Sequence, residues 1–162
     1  MEKDLTLSFY ETSDLQLYKQ LCQDIRVMRY ITEKAETDNE AAENFQKILA
    51  YNALHSDHTG YYKVYDRSTY IGFAKLSWDK EKKIEIGYML LPEYWGMGYA
   101  HQIITDLLTK ITHSDRLSKA TVYAIIDPNN GASKHLLQKH HFDSVWLGIE
   151  EGLPSEHLIW KP

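Results

Sequence analysis

The sequence predicts a single mixed α/β domain whose sheet is largely antiparallel and flanked by helices. Several short segments alternate apolar and polar residues with the period of a strand, and others repeat apolar residues at helical spacing. The strand-like segments lie on both sides of a central helix, in the order β-α-α-β-β-β-α-β-α-β-β. That order fits one mixed α/β domain over residues 1–162, which is an ordinary length for a domain.

The first third of the chain predicts one strand and two helices. Alternation over residues 5–9 indicates the strand. Residues 12–14 offer an N-cap to the first helix, and Asp38 or Asn39 offers one to the second. The inward face of the first helix is expected to carry Leu15, Tyr18, Leu21, Cys22 and Ile25. The inward face of the second is expected to carry Ala41, Ala42, Phe45, Ile48 and Leu49.

The rest of the sheet is predicted in two parts. Residues 61–65, residues 70–76 and the run that begins at Ile84 indicate three strands in series, which form an antiparallel meander. After the central helix, residues 120–126 are strongly β-prone and residues 132–140 indicate a short helix. Two closing strands are expected around Gly152-Leu153-Pro154, over residues 142–150 and 157–160.

The composition excludes several classes of protein. A hydrophobic content of 43% and a charged content of 25% are typical of soluble globular domains. The single Cys22 excludes an intramolecular disulfide, and no Cys/His set has zinc-ligand spacing, so we expect no metal. No segment resembles a signal peptide or reaches transmembrane length. We therefore expect a cytoplasmic protein with no membrane partner.

The net charge is less informative about binding partners than the composition is about protein class. A net charge of −5 argues against a nucleic-acid partner, which favours a basic face. The same charge is compatible with a cationic substrate such as an amine. The simpler interpretation is that a mildly acidic surface keeps the protein soluble. The sequence leaves the choice between monomer and homodimer open.

The stretch from Ile84 to Ile111 carries the strongest functional pattern. An apolar strand stops at Pro92, a short loop contains Gly96 and Gly98, and a helix follows. The helical face is formed by Ala100, Ile103, Ile104, Leu107, Leu108 and Ile111. Strand, glycine turn and helix together aim backbone N–H groups and a helix dipole at one point, which suits a phosphate.

Three interpretations of this turn compete. A Walker-type loop is excluded because G-x-x-x-x-G-K-[ST] does not occur. A dinucleotide fingerprint is incomplete, because His101 stands where the third glycine belongs. The turn can also be purely structural, with glycine used for positive φ.

The run Pro-Glu-Tyr-Trp-Gly-Met-Gly-Tyr-Ala resembles the acyl-CoA pyrophosphate loop of the GNAT superfamily of N-acetyltransferases. That family's pattern [RQ]-x-x-G-x-[GA] falls on Trp95, Gly98 and Ala100. Trp95 departs from the usual Arg or Gln, but Trp-Gly is typical of the branch that acetylates ribosomal-protein N-termini. The resemblance implies acetyl-CoA as co-substrate and the GNAT fold. The cofactor-binding residues it implies, together with the next motif, are Met89, Leu90, Leu91, Trp95, Gly96, Met97, Gly98, Tyr99, Ala100 and Asn130.

A second motif spans residues 127–142 and resembles the family's N-x-x-[AS]-x-x-L-[YL]-x-x-x-G-F. Its matches are Asn130, Ser133, Leu136 and Phe142. In the family the Asn side chain hydrogen-bonds the pantetheine arm; the alternative is a helix N-cap, and we expect both roles for Asn130.

Two residues of this motif depart from the family. His141 replaces the usual Gly, so the turn there is expected to differ. Leu137, expected to face inward with Leu136, stands where many relatives carry a Tyr that protonates the departing thiolate. Leucine cannot donate a proton, so that role is not carried over.

The resemblance implies direct attack of a neutral amine on an acetyl thioester. In the family, the backbone of the strand residues Met89, Leu90 and Leu91 grips the thioester, and one N–H polarises the carbonyl. Glu85 is the candidate base, because it lies four residues before Met89 and shares its face. The alternative is a solvated carboxylate near Lys82 or Lys83.

Ser133 is the candidate on the thiolate side, because the ribosomal-protein branch uses a serine in this motif. The alternative for Ser133 is packing or capping. The identity of the proton donor therefore stays open at this point.

The acceptor amine is expected to be a peptide or protein N-terminus. An α-amino group has a reference pKa of about 7.7–8.0, against about 10.4 for lysine, so it needs less help from a base. Glu150, Glu151 and Glu156 near the closing strands could attract a polyamine or aminoglycoside, or be ordinary surface charge. Two alternatives stay open: an acyl-CoA-binding or sensing protein without turnover, and a transferase that uses a longer acyl-CoA.

Overall fold

The structure, a computed structural model, describes residues 2–55 and 57–162. Seven strands form one sheet in the order β1-β2-β3-β4-β5-β7-β6. The strands are β1 Leu5–Phe9, β2 Gly60–Asp66, β3 Thr69–Trp78, β4 Ile84–Leu90, β5 Val122–Ile126, β6 Phe142–Glu150 and β7 Leu153–Trp160. The helices are α1 Leu15–Cys22, α2 Ile25–Met28, α3 Asp38–Leu54, α4 Tyr99–Thr112 and α5 Gly131–Lys139. In the described residues, no helix combines the length and apolarity needed to cross a bilayer.

The predicted fold class is confirmed. Strands β1 to β4 pair antiparallel in series, so the predicted meander exists. Within residues 2–55 and 57–162, the one parallel pair joins β4 to β5, with α4 as the crossover between them. On the far side, β5 pairs antiparallel with β7, and β7 pairs antiparallel with β6.

Two hydrophobic cores lie on the two faces of the sheet. The core that we call the α4-side core packs the inner face of α4 against the strands, with Ile103, Ile104 and Leu107 fully buried. The core that we call the α3-side core packs α1 and α3 against the other face, and it includes Leu21 and Phe45. Each face of β4 therefore meets a different environment.

The first helix ends earlier than its pattern predicts. It stops at Cys22, and Ile25 begins a separate short helix with 52% of its surface exposed, so its predicted inward position is wrong. Asp24 breaks the helix by accepting the N–H of Arg26 as an N-cap. The N-cap of α3 is Thr37 rather than Asp38 or Asn39, and it forms a capping box with Glu40.

The closing strands also differ from their predicted bounds. Strand β7 begins at Leu153, not at residue 157, because the turn is made by Glu151 and Gly152 alone. Both residues have positive φ, which is the conformation of a two-residue hairpin turn that follows strand twist. Pro154 lies within the strand, opposite Ile149.

His141 has a backbone conformation that glycine favours. Its φ is 70°, in the left-handed region, directly after the end of α5. Its N–H donates to the carbonyl of Gln138, and its carbonyl accepts the N–H of Lys161. The helix therefore ends in the way that usually takes a glycine, here with a histidine in the left-handed position.

Replacing His141 with glycine should stabilise the protein. A side chain in the left-handed region costs about 1–2 kcal/mol, of which the greater freedom of glycine in the unfolded chain removes about 0.5–1 kcal/mol. We expect His141→Gly to raise Tm by about 1–3 °C in thermal unfolding followed by circular dichroism. His113→Gly is the control, because His113 ends α4 with a φ of −85° and should be destabilised by glycine. A Tm that is unchanged or lowered in His141→Gly, or raised equally in both variants, would show that the left-handed conformation of His141 is not strained.

Candidate active site

A gap opens in the sheet between β4 and β5. The two strands pair only at Ile84 with Val122 and at Glu85 with Tyr123. Beyond that point β4 continues to Leu90 along β3, while β5 turns to pair with β7. One edge of β4 is thus left without a strand partner along its second half.

Backbone groups of β4 point alternately to β3 and into the gap. Leu91 donates its N–H to the carbonyl of Ile71 at 2.9 Å, so odd-numbered residues face β3. Ile84 donates its N–H to the carbonyl of Thr121, so even-numbered residues face the β5 side. Of the three predicted backbone contacts, only Leu90 aims its N–H into the gap.

The loop after β4 presents an uncapped helix N-terminus. Gly96 and Gly98 have φ of 70° and 85°, and Gly98 is the N-cap of α4, with no side-chain hydrogen bond capping the helix. A Cβ built on Gly96 would meet no atom within 4 Å, so the space beside it is open. Open space and unclaimed N–H groups at a helix N-terminus form a site for an anionic group.

The side chains of Trp95, Met97 and Tyr99, in and next to this loop, differ in their contacts and exposure. The indole N–H of Trp95 donates to the carbonyl of Leu90 at 2.9 Å and ties the loop to the end of β4. Met97 is 52% exposed at the loop tip. Tyr99 is buried, and its hydroxyl donates to Asp66, which raises the pKa of Tyr99 and lowers that of Asp66. The loop is therefore anchored on both sides, at β4 and at β2.

Lys3 lies beside the same loop and was not found by sequence reasoning. Its Nζ would be 3.4 Å from a Cβ built on Gly98, and it lies 5.2 Å from the ring centroid of Tyr99. Lys3 precedes β1, far from the loop in the chain, so no local pattern signals the contact. It adds a positive charge to a site that already suits an anion.

The second motif forms the start of α5 and brings Ser133 into contact with β4. The Oδ1 of Asn130 accepts the N–H of Ser133 at 3.2 Å, so Asn130 is the N-cap of α5. The Oγ of Ser133 is buried, with 8% of the residue exposed, and lies 2.8 Å from the hydroxyl of Tyr88 on β4. Tyr88 was also missed, since a tyrosine in an apolar strand reads as packing.

Glu85 lies on the opposite face of β4 from Tyr88. It shares its face with Met89, as its spacing predicts. Its Oε1 lies 2.8 Å from the Nζ of Lys75 on β3, and both side chains are 23% exposed. The partner of Glu85 is therefore Lys75, not Lys82 or Lys83 as the sequence suggested. Lys83 pairs with Glu81 instead.

Leu137 is 3% exposed and belongs to the α4-side core, as the inward orientation predicts. Leu136 is partly buried against the same core. No proton donor therefore stands at the position where many relatives carry the tyrosine.

Two of the three acidic residues near the closing strands, Glu150 and Glu156, contact other side chains of the protein. Glu156 is 3% exposed and accepts bonds from Ser144 at 2.5 Å and Lys134 at 2.9 Å. Its burial raises the carboxyl pKa, but these two bonds outweigh burial and leave the pKa lowered. Glu150 contacts His157 at 2.5 Å. Of the three predicted acidic residues, Glu156 is not accessible to a polyamine.

Comparison with known proteins gives the family. A family model described as an acetyltransferase (GNAT) domain matches residues 4–143. The chain belongs to this family. The predicted superfamily and the predicted enzyme class, an N-acetyltransferase, are thereby confirmed.

One curated relative is similar in sequence to part of this GNAT chain. Over 72 residues it is 35% identical to an uncharacterized N-acetyltransferase, YoaA, of Bacillus subtilis (strain 168). The match covers 44% of this chain and 39% of the length of that relative.

Solved structures share the GNAT fold over nearly the whole chain. A spermidine N-acetyltransferase from Vibrio cholerae, in complex with CoA and spermine, has a TM-score of 0.76 at 21% identity and covers 96% of this chain and 94% of its own. The ribosomal L7/L12 alpha-N-protein acetyltransferase RimL, in complex with coenzyme A, has a TM-score of 0.78 at 15% identity and covers 98% and 94%. At these identities the likeness shows the fold alone.

Proposed function

We propose that this protein transfers the acetyl group of acetyl-CoA to a primary amine, and that the amine is the α-amino group of a peptide or protein. One observation carries the proposal: the gap between β4 and β5 lies beside the strand that leads into the glycine loop at the N-terminus of α4. An extended arm in the gap would reach the loop with its phosphates. That arrangement suits a thioester on a long arm that ends in a pyrophosphate.

The residues of the site fit acetyl-CoA in three places. The N–H groups after Gly96 and Gly98 suit the pyrophosphate, with open space beside Gly96. The inward-facing amide of Leu90 suits the thioester carbonyl, because a fixed N–H there stabilises the negative charge that develops on oxygen. Asn130 caps the helix whose Ser133 contacts Tyr88 on β4, and because its Oδ1 makes that cap, its amide N–H₂ is the group to hold the pantetheine arm.

Three observations favour an α-amine as acceptor. Glu156 is buried and Glu150 is paired with His157. Fewer free carboxylates therefore remain near the closing strands to attract a polyamine. Glu85 forms an ion pair with Lys75, and an amine of low pKa needs less help from a base. The Trp-Gly pair at Trp95 and Gly96 resembles the ribosomal-protein branch and supports the same choice.

The test is thiol release from acetyl-CoA against a panel of amines. The panel contains peptides with varied first residues, spermidine, an aminoglycoside and free amino acids. We expect saturable release with at least one peptide and slower release with the other classes. Faster release with spermidine or the aminoglycoside would move the acceptor to a small molecule. Binding of acetyl-CoA without release for any amine would support a binding protein instead.

Lys3→Ala should weaken acetyl-CoA without slowing the chemistry. Lys3 places an ammonium group at the phosphate loop, and one partly exposed charge contact contributes on the order of 1 kcal/mol. We expect KM for acetyl-CoA to rise about fivefold, with kcat unchanged, and the effect to shrink in high salt. Lys80→Ala, in the exposed turn before β4, is the control and should change neither constant. Equal KM values for the Lys3 variant and the wild type would remove Lys3 from the site.

A further inference from the structure

The α3-side core covers only part of its face of the sheet. It extends as far as β4, where Met89 packs against it, and in the described part of the chain none of its members belongs to β5, β6 or β7. Two large apolar side chains of the uncovered strands are consequently exposed: Ile125 of β5 is 38% exposed and Trp146 of β6 is 42% exposed.

A row of side chains on this uncovered face begins at Glu85. Glu85 pairs with Tyr123, and Ile125, two residues further along β5, pairs with His157 of β7. His157 pairs in turn with Trp146 of β6. Paired residues of neighbouring strands, and alternate residues of one strand, point to the same face of a sheet. The candidate base therefore shares the α3-side face with these side chains.

The rings of Tyr123, His157 and Trp146 form what we call the aromatic row. The ring centroids of Tyr123 and His157 are 6.2 Å apart with 19° between the ring planes, and the Trp146 ring meets His157 edge-on at 5.0 Å. Hydrogen bonds fix two of the rings. The hydroxyl of Tyr123 donates to Asp79 at 2.8 Å, and Nε2 of His157 lies 2.5 Å from Oε1 of Glu150. The aromatic row is therefore preorganised.

The indole of Trp146 lies over Gly148. A Cβ built on Gly148 would be 2.6 Å from a carbon of the indole ring, so any larger residue would displace the ring. The glycine thus allows the indole to lie along β6 and beside His157. One face of an exposed indole held in this way is available to a ligand.

The acceptor amine is expected to approach the gap from the face that carries the aromatic row. On the opposite face, α4 and α5 pack on the strands, and Ser133 of α5 contacts Tyr88 of β4. The glycine loop that suits the pyrophosphate begins α4 on that same side. A peptide whose amine reaches Glu85 from the other side continues over β5 and β7 to the aromatic row.

We propose that Trp146 and His157 select the acceptor peptide and favour peptides whose first two residues carry apolar side chains. This inference rests on the proposed function and names the feature of the acceptor that the site selects. Apolar side chains fit because Ile125 and the indole expose carbon atoms, while the carboxylate of Glu150 is engaged by His157. Acidic side chains would be repelled by the carboxylates of Glu85 and Glu150.

The test measures kcat/KM for peptides that differ only at their first two positions, with leucine, glycine, lysine or aspartate at both. We expect the wild type to prefer the leucine peptide to the glycine peptide at least about tenfold, because apolar contacts discriminate substrates on that scale. Trp146→Ala should reduce this preference to about twofold, and Trp146→Phe should retain most of it. In both variants, KM for acetyl-CoA and the rise in Tm on adding coenzyme A should equal the wild-type values.

Two further variants separate the position of the indole from its presence. Gly148→Ala should displace the ring and weaken the preference for the leucine peptide although Trp146 is still there. Leu147→Ala is the matched control. Leu147 is 65% exposed on the same strand but points to the opposite face, so its replacement should leave the preference unchanged.

Three results would overturn the assignment of the aromatic row and leave the proposed function intact. They are equal kcat/KM of the wild type for the leucine and glycine peptides, a leucine preference that Trp146→Ala leaves unchanged, and a preference for the lysine peptide that depends on Trp146. In the last case the indole would bind a cation instead of an apolar side chain. No thiol release by the wild type with any peptide would overturn the proposed α-amine acceptor and this inference with it.

Discussion

Gly98→Val is expected to raise KM for acetyl-CoA by about 10- to 100-fold. The φ of Gly98 is 85°, a conformation that a β-branched residue does not adopt without strain. A valine would therefore turn the first N–H groups of α4 away and place methyl groups at the proposed phosphate site. Losing one or two charge-assisted hydrogen bonds of about 1.5 kcal/mol each gives that range.

Gly152→Val is the control that separates the effect of backbone strain on stability from the effect of the Gly98 substitution on cofactor binding. Gly152 has a φ of 80° in the turn between β6 and β7, and a Cβ there would meet no atom within 4 Å. Both variants should lose similar stability in thermal unfolding, while only Gly98→Val changes KM. Equal KM values for the two variants would show that the loop does not hold the cofactor.

Glu85→Gln is expected to lower kcat by about 10²-fold with the preferred amine. The carboxylate lies at the start of the gap on the face of Met89, and glutamine keeps its shape but cannot accept a proton. KM for acetyl-CoA should be unchanged, since the phosphate loop is not touched. The loss should be smaller at higher pH, where more of the amine is already neutral. Steady-state rates between pH 6 and pH 9 measure both effects.

Glu81→Gln is the matched carboxylate control. Glu81 lies in the turn before β4, with a side chain 76% exposed and paired with Lys83. Its replacement should leave kcat within about twofold, as is usual for a surface ion pair. A pH-independent loss in Glu85→Gln, with reduced Tm, would indicate that the bond between Glu85 and Lys75 is only structural.

The glycine loop and α4 could be predicted because their signals are local. The glycines that need positive φ, the strand that ends at Pro92 and the helical spacing of Ile103 and Leu107 all lie within one short stretch. Each feature is set by the residue itself or by its neighbours along the chain. The structure places all of them as the spacing indicates.

Contacts between distant segments could not be predicted in this way. Sequence proximity pointed to Lys82 or Lys83 as partners of Glu85, but antiparallel pairing of β3 with β4 places Lys75 beside it. The contact of Tyr88 with Ser133 likewise depends on how α5 packs beside β4. Both contacts are determined by strand register and by packing across the sheet. The local periodicity of the sequence predicts neither of these.

Helix and strand ends were the other source of error. Ile25 fits the apolar period of α1, yet the helix stops before it because the side chain of Asp24 competes for a backbone N–H. His141 shows the reverse case, since its backbone keeps the glycine conformation in spite of its side chain. Local hydrogen bonds and tertiary packing outweighed residue preference at these positions.

A crystal structure with coenzyme A bound tests the central claim most directly. We expect pyrophosphate oxygens within about 3 Å of the N–H groups that follow Gly96 and Gly98. It also predicts the pantetheine arm in the gap between β4 and β5, with the sulfur near the Oγ of Ser133. Coenzyme A bound elsewhere, or with its sulfur remote from Ser133 and Leu90, would contradict the account.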